Sequence, residues 1–207
     1  MSYNDEYKED KQRRLEFARK SDAMGKLINA VPFSNYGVDV QFRDIEWMIE
    51  RYAKSYDGFD ENPDFQRGHV WTLDQQIKYI EAIVRGTVGA SGRMISLSCP
   101  DFQRDQEKDS DLKGFVVVDG LQRLTAIRKF CKGEFRIFND LIDGGADLDY
   151  FNGTRYNLNS MSGVRFQVFS FQYKKEILDY YLAFNDGGTV HTQEEIDRVR
   201  KMRNQLD

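Results

Sequence analysis

The run Phe115–Val118 most restricts how this chain can fold, because four consecutive apolar residues lead directly into Asp119 and Gly120. Such a continuous run is typical of a strand that is covered on both faces. After the Asp-Gly pair, apolar residues recur on one face at helical spacing: Leu124, Ile127, Phe130 and Cys131. The sequence therefore predicts a buried strand, a tight turn and a helix in direct succession.

Strand and helix patterns mix along the rest of the chain without a regular alternation. Four further strands are predicted at residues 38–42, 94–98, 135–138 and 164–169, the last as an edge or half-buried strand. Further helices are predicted at residues 43–55, 72–86, 174–184 and 192–206. This order favours an α+β fold over a doubly wound parallel sheet.

The helix at residues 72–86 has the clearest boundaries. Thr72 and Gln75 form a capping box, and Gly86 is a natural stop. Its expected buried stripe consists of Leu73, Ile77, Ile80, Ile83 and Val84. The last helix has a second predicted box at Thr192 and Glu195. Its apolar stripe of Ile196, Val199 and Met202 is thin, which places it on the surface or against a partner.

Composition limits the class of protein. The 207 residues are 40% hydrophobic, which supports a core, and we expect a polar arm or helix at residues 1–25 followed by one domain at 26–207. The net charge of −4 gives no global field that attracts nucleic acid. The chain has only two cysteines and a polar N-terminus, and it lacks an apolar run of about 20 residues. These features predict a cytoplasmic protein without membrane contact.

The turn Asp119–Arg123 is the first candidate site. A helix that begins after glycine directs free amides and its positive dipole end toward one point, which favours a phosphate. Arg123 could bind that phosphate, Gln122 and Thr125 could contact the ligand, and Asp119 could coordinate Mg²⁺ or hold a water. The same residues would equally form an ordinary turn with a solvated arginine.

Two other segments carry polar residues at helix entrances. Gln66 and Arg67 precede Trp71 and the helix at 72–86, so a second Gln-Arg pair could converge on the same anion. His69 lies beside Arg67. Asn185 opens a glycine-rich turn before the last helix. Both segments also fit plain loops, with Trp71 as a core anchor.

Several chemistries are excluded by their motifs. The chain has no GxxxxGK[ST] phosphate loop and no GxSxG nucleophile turn. Its two histidines and two scattered cysteines have no zinc-ligand spacing.

Together, the segments DGLQRLT, PDFQRGHVW and FNDGGTVHTQEEI resemble the ParB/sulfiredoxin-like domain at the N-terminus of GmrSD-type modification-dependent restriction enzymes. That family carries a DGQQR signature after a strand, an upstream Gln-Arg and a later Asn-x-Gly-Gly turn. The order and spacing agree across about residues 38–200. Leu121 stands where the family has its first glutamine, so one polar contact is lost.

The resemblance implies a mixed sheet with surrounding helices and a nucleotide-phosphate site. By position, the phosphate and metal corner would consist of Asp119, Gly120, Gln122, Arg123 and Thr125. Gln66 and Arg67 would approach from the other side, and Asn185 would line the rim. The implied cofactors are Mg²⁺ and a nucleoside triphosphate. The family's His-Asn-His nuclease is not matched, so we expect no autonomous DNA cleavage by that route.

Three functions follow as hypotheses. The first is a Mg²⁺-dependent nucleoside triphosphatase linked to DNA processing or phage defence. The second is ParB-like DNA nicking. The third is a non-catalytic module that binds DNA or a partner such as a separate nuclease. The basic cluster at residues 198–203 would contact phosphates in the third case or form a solvated helix face.

Overall fold

One five-stranded mixed sheet organises the larger part of the chain. The computed structural model describes residues 3–28, 36–66, 68, 70–102, 110–158, 163–185 and 193–206. The strands are β1 (Tyr36–Gln41), β2 (Phe59–Asp60), β3 (Met94–Ser98), β4 (Phe115–Asp119) and β5 (Gly163–Phe169). Their order across the sheet is β1-β5-β3-β4-β2.

Both parallel and antiparallel pairs occur in this sheet. Strand β5 pairs with β1 antiparallel and with β3 parallel, whereas β4 pairs with β3 antiparallel and with β2 parallel. The helices are α1 (Tyr3–Ile28), α2 (Ile45–Ser55), α3 (Leu73–Val84), α4 (Leu121–Cys131), α5 (Leu148–Asn152), α6 (Lys174–Asn185) and α7 (Gln193–Asn204). The predicted α+β class with a mixed sheet and surrounding helices is confirmed.

Two apolar clusters cover the two faces of the sheet. On one face, helices α2, α3 and α4 pack on alternate strand residues such as Phe115 and Val117. On the other face, α6 and α7 pack on Val116 and Val118. Strand β4 is therefore buried from both sides, which explains its uninterrupted apolar sequence and confirms that prediction.

The capping box of α3 is present as predicted. Thr72 accepts a hydrogen bond from the Gln75 amide, and the Gln75 side chain accepts one from the Thr72 amide. The predicted stripe was wrong at Leu73, which is 56% exposed. Leu73 is the first helical residue and points away from the core, while Gln76 occupies a buried position one turn later.

Two strand predictions need correction. Residues 135–138 form only an isolated bridge between Ile137 and Ala146, because Phe138 adopts a φ of 57° that ends the extended run. Strand β5 is not an edge strand: it lies between β1 and β3. Its alternating exposure nevertheless agrees with the half-buried pattern.

The chain divides into two compact units, Met1–Phe33 and Ser34–Asp207. The first contains α1, whose described side chains at residues 11–25 are exposed, as expected from their polar sequence. Within the described ranges, no helix combines the length and apolar character needed to span a bilayer.

The last helix is not a loose surface element. Val199 of α7 is fully buried, and Met202 packs against the cluster that α6 shares with the sheet. Its thin apolar stripe is therefore sufficient to hold it against α6. The Thr192 cap lies outside the described residues.

Candidate functional site

Strand β4 passes into helix α4 through a glycine that no other residue could replace without strain. Gly120 has a φ of 99°, and a Cβ placed on it would lie 2.8 Å from the Cδ1 of Ile95 and 3.1 Å from the carbonyl oxygen of Met94. No side chain caps α4. Amides in the first turn of a helix have no intrahelical partner. The side chains of the described residues therefore leave the first-turn amides of α4 uncapped.

Asp119 and Arg123 form an ion pair across this turn. Their side chains are only 21% and 18% exposed, so water screens the pair less than it would on an open surface. The Arg123 Nε also donates to the carbonyl oxygen of Met94 at 3.1 Å. These two bonds use two of the five N–H donors of a guanidinium.

Gln122 fastens the upstream Gln-Arg segment to the start of α4. Its Oε1 accepts hydrogen bonds from the amides of Val70 at 2.8 Å and Trp71 at 3.1 Å. Its Nε2 donates to the carbonyl oxygen of Gly68 at 3.1 Å. The structure thus brings together two segments that lie about fifty positions apart in the sequence.

Gln66 holds the same segment from its other side. Its Nε2 donates to the carbonyl oxygen of Val117 in β4, two residues before Asp119. Arg67 and His69 lie outside the described residues. Gln66 and Gly68, by contrast, are each hydrogen-bonded to a residue within three positions of Asp119.

Leu121 and Thr125 have different surroundings from the polar residues of the turn. Leu121 is 7% exposed and belongs to the core cluster under α4, which accounts for an apolar residue at this position. Thr125 is the fifth residue of α4 and is half-buried. It lies about 7.5 Å along the helix axis from Gly120, since each of the five residues adds about 1.5 Å.

The third candidate segment is described only at its two ends. Asn185 is the last residue of α6, and α7 begins at Gln193. The glycine-rich turn at residues 186–192, with His191, lies outside the described residues.

The basic cluster of the last helix makes contacts within the chain. Arg203 binds Asp179 at 2.8 Å, and Arg200 binds Asp197 at 3.1 Å. Arg198 donates to main-chain oxygens of the segment before Gln66. The role of Arg198 was not predicted from the sequence, because its two partners lie more than 130 positions away.

Two tyrosines with perturbed acidity lie close to the turn. Burial raises the pKa of Tyr180, the neighbouring Ser96 hydroxyl opposes that rise, and the nearby Asp119 charge adds to it. Burial also raises the pKa of Tyr79, against the opposing charges of Arg123 and Arg93. Both hydroxyls therefore stay protonated at neutral pH and can act only as neutral donors or acceptors.

Asp119 is the carboxylate that the sequence assigned to a metal ion. Among the residues that the structure describes, no group of three or more histidine, cysteine, aspartate or glutamate side chains is arranged to hold a metal.

Comparison with family models shows which protein family the chain belongs to. The model of the GmrSD restriction endonuclease N-terminal domain matches residues 48–201, which contain the whole turn and the upstream Gln-Arg segment. The chain belongs to this family, as the three sequence segments predicted. Searches of curated proteins and of solved structures found no match.

Proposed function

We propose that this domain binds a nucleoside triphosphate and hydrolyses it with Mg²⁺ in a process linked to DNA or to phage defence. The observation that carries the proposal is the attachment of the 66–71 segment to α4 by Gln122. It attaches Gly68, Val70 and Trp71, which follow the second Gln-Arg pair in sequence, to a helix start that has no side-chain cap. Membership of a restriction endonuclease family supports the link to DNA processing.

The phosphates would bind at the first turn of α4. Amides there point along the positive end of the helix dipole, and anions are favoured at such a position. Arg123 would add a guanidinium from within the turn, and Arg67 would approach from the opposite segment. Asn185 would line the rim, while Thr125 would contact a ligand oxygen only if the ligand extends past the first turn.

Asp119 would hold Mg²⁺ together with phosphate oxygens and water. The bound ion would neutralise phosphate charge, as metal ions do in phosphoryl transfer. Asp119 is also the first candidate for orienting the attacking water, because a carboxylate must lie near it. Its present partner is Arg123, so ligand binding would exchange part of that ion pair for contacts to phosphate.

Equilibrium titration with ATP, GTP and CTP in the presence of Mg²⁺ tests this proposal. We expect the wild-type chain to bind at least one of them, and Arg123→Ala to bind it at least about tenfold more weakly, which corresponds to one charge-assisted contact. Lys129→Ala is a matched control, since Lys129 is a cation in the last turn of the same helix. Equal binding by wild type and Arg123→Ala would refute the assignment.

Hydrolysis needs a separate measurement. Phosphate release should require Mg²⁺ and fall at least about a hundredfold in Asp119→Asn, the scale of one positioned acid-base or metal-binding group. Thermal melting of the variant would show whether the fold is retained. Phosphate release at the wild-type rate by folded Asp119→Asn would exclude a catalytic role for this carboxylate.

ParB-like DNA nicking is the second candidate, and the family of the chain favours it. Supercoiled plasmid incubated with Mg²⁺ or Mn²⁺ distinguishes the two functions. Nicking predicts relaxed circles that disappear with Asp119→Ala, whereas a nucleotide-specific domain leaves the plasmid supercoiled.

A further inference from the structure

The segment at residues 64–71, here called the Gln-Arg loop, is attached to the rest of the fold at both ends. At its far end, Gln122 binds Gly68, Val70 and Trp71. At its near end, Asp64 and Phe65 contact the two C-terminal helices. Loops without such attachments are mobile, so this degree of attachment requires an explanation.

Arg198 of α7 makes the main-chain contacts at the near end. Its Nη1 donates to the carbonyl oxygen of Asp64 at 3.1 Å, and its Nη2 donates to that of Phe65 at 2.9 Å. One guanidinium thus spans two consecutive carbonyls immediately before Gln66. Hydrogen bonds with a charged donor are stronger than neutral ones, and a fork fixes direction as well as distance.

Helix α7 is held in place without help from Arg198. Val199 is fully buried, and Glu195 accepts a hydrogen bond from the Tyr181 hydroxyl at 3.0 Å. Phe65 is 2% exposed and packs edge-on against Tyr181, with ring centroids 6.0 Å apart. Removing the Arg198 side chain would therefore take away one attachment of the loop backbone while the helix stays packed.

We propose that Arg198 is a positioning residue for the candidate site, and that α7 thereby determines how much of the time the Gln-Arg loop lies beside α4. The inference rests on the proposed nucleotide site. The Arg198 guanidinium holds the carbonyls of Asp64 and Phe65. These residues immediately precede Gln66, whose side chain donates to Val117, two residues before Asp119. The C-terminal end of the matched region then controls the affinity of a site formed by earlier segments.

The size of the effect depends on the fraction of molecules in which the loop is attached. When only a fraction of the molecules has the loop in place, the apparent Kd rises by the inverse of that fraction. If the loss of the fork lowers the attached fraction to about one tenth, the nucleotide Kd rises about tenfold. Main-chain amides of the loop should exchange with solvent faster for the same reason.

The test compares three variants of the full chain. Arg198→Ala removes the fork, and Arg198→Lys retains one charged donor. Arg200→Ala is the matched control, because Arg200 lies on the same helix and binds Asp197. Hydrogen exchange of a peptide covering residues 62–71, thermal melting, and the Kd for Mg²⁺-ATP, Mg²⁺-GTP and Mg²⁺-CTP are measured for each.

For Arg198→Ala we expect faster amide exchange in the 62–71 peptide and a nucleotide Kd about tenfold above that of wild type. Arg198→Lys should give intermediate values of both quantities. The Arg200→Ala control should give wild-type values. If amide exchange in the 62–71 peptide of Arg198→Ala equals that of wild type, the contact of Arg198 with Asp64 and Phe65 does not hold the loop. Faster exchange with an unchanged Kd overturns the positioning role. If the wild-type chain binds none of the nucleotides, the proposed function fails, and this role fails with it; that result differs from the other two because it appears in the wild type.

Discussion

The side-chain oxygen of Gln122 accepts a hydrogen bond from the amide of Val70 at 2.8 Å, across 52 positions of the chain. This hydrogen bond holds Val70, from the upstream segment, against Gln122 at the start of helix α4. The glutamine of the DGLQR motif therefore has a structural role that would persist without any ligand. Replacing Gln122 should therefore affect the Gln-Arg loop (residues 64–71) more than the rest of the fold.

Gln122→Ala should lower the free energy of unfolding by about 1–3 kcal/mol, since three hydrogen bonds with net values of about 0.5–1.5 kcal/mol each are lost in a partly exposed setting. The local change should be visible as a shift in Trp71 emission, measured in a Trp47→Phe background. Gln122→Glu keeps the acceptor for Val70, but a carboxylate oxygen then faces the Gly68 carbonyl oxygen in place of the donor, so this variant should also lose stability. Wild-type emission and stability in Gln122→Ala would contradict the contact.

Gly120→Ala should destabilise the fold by about 2–5 kcal/mol, because it combines a left-handed backbone with a Cβ pressed onto Ile95. Gly133→Ala is the matched control: its φ is 72°, and its Cβ would meet nothing within 4 Å. That variant should lose only about 1–2 kcal/mol for the backbone conformation. Chemical denaturation measures both values, and equal losses would show that the close approach to β3 is unimportant.

The free energy of unfolding should fall at alkaline pH, in part because the Tyr52 hydroxyl ionises at a lower pH in the unfolded chain than in the folded one. Burial raises the pKa of this hydroxyl from 10.0 to about 12, and the neighbouring Tyr36 and Tyr56 add to the rise. The group stays neutral in the folded state while it ionises in the unfolded chain. Stability from this group is therefore fully present below pH 10 and is lost between pH 10 and 12, by at most about 1.4 kcal/mol per pH unit.

Tyr52→Phe checks that assignment, since phenylalanine retains the stacked contact with Phe115, whose ring centroid lies 4.3 Å away. Denaturation at several pH values from 9 to 12 should give a shallower decline than in wild type. A decline of the same steepness would assign the alkaline sensitivity to other groups.

Both thiols should be slow to react in the native state. Burial raises the pKa of Cys131 to about 11 and that of Cys99 to about 12, so little thiolate exists near neutral pH. We expect alkylation at pH 8 to be slow in buffer and fast in denaturant. Rapid stoichiometric labelling of the folded chain would contradict the raised pKa values of buried Cys99 and half-buried Cys131.

Local patterns predicted the parts of the fold that depend on neighbours in sequence. The capping box at Thr72 and Gln75, and the two-sided burial of Phe115–Val118, follow from spacing alone. The family could also be recognised from the sequence, because each of its motifs is one contiguous stretch of residues.

Long-range contacts were not predictable in the same way. The pattern of residues 135–138 alternates correctly, but a strand also needs a partner, and Ile137 finds only Ala146. Arg198 was assigned to a basic cluster because nothing in its neighbourhood indicates the carbonyls of Asp64 and Phe65, more than 130 positions away. The role of Gln122 as a link between segments was hidden for the same reason.

The most direct test of the anion-binding corner is a crystal structure of the wild-type chain with Mg²⁺ and a non-hydrolysable nucleoside triphosphate. The account predicts phosphate density at the first-turn amides of α4 beside Gly120, with Arg123 turned toward it and the ion near Asp119. Bound nucleotide elsewhere on the fold, with the Asp119–Arg123 pair undisturbed, would contradict it.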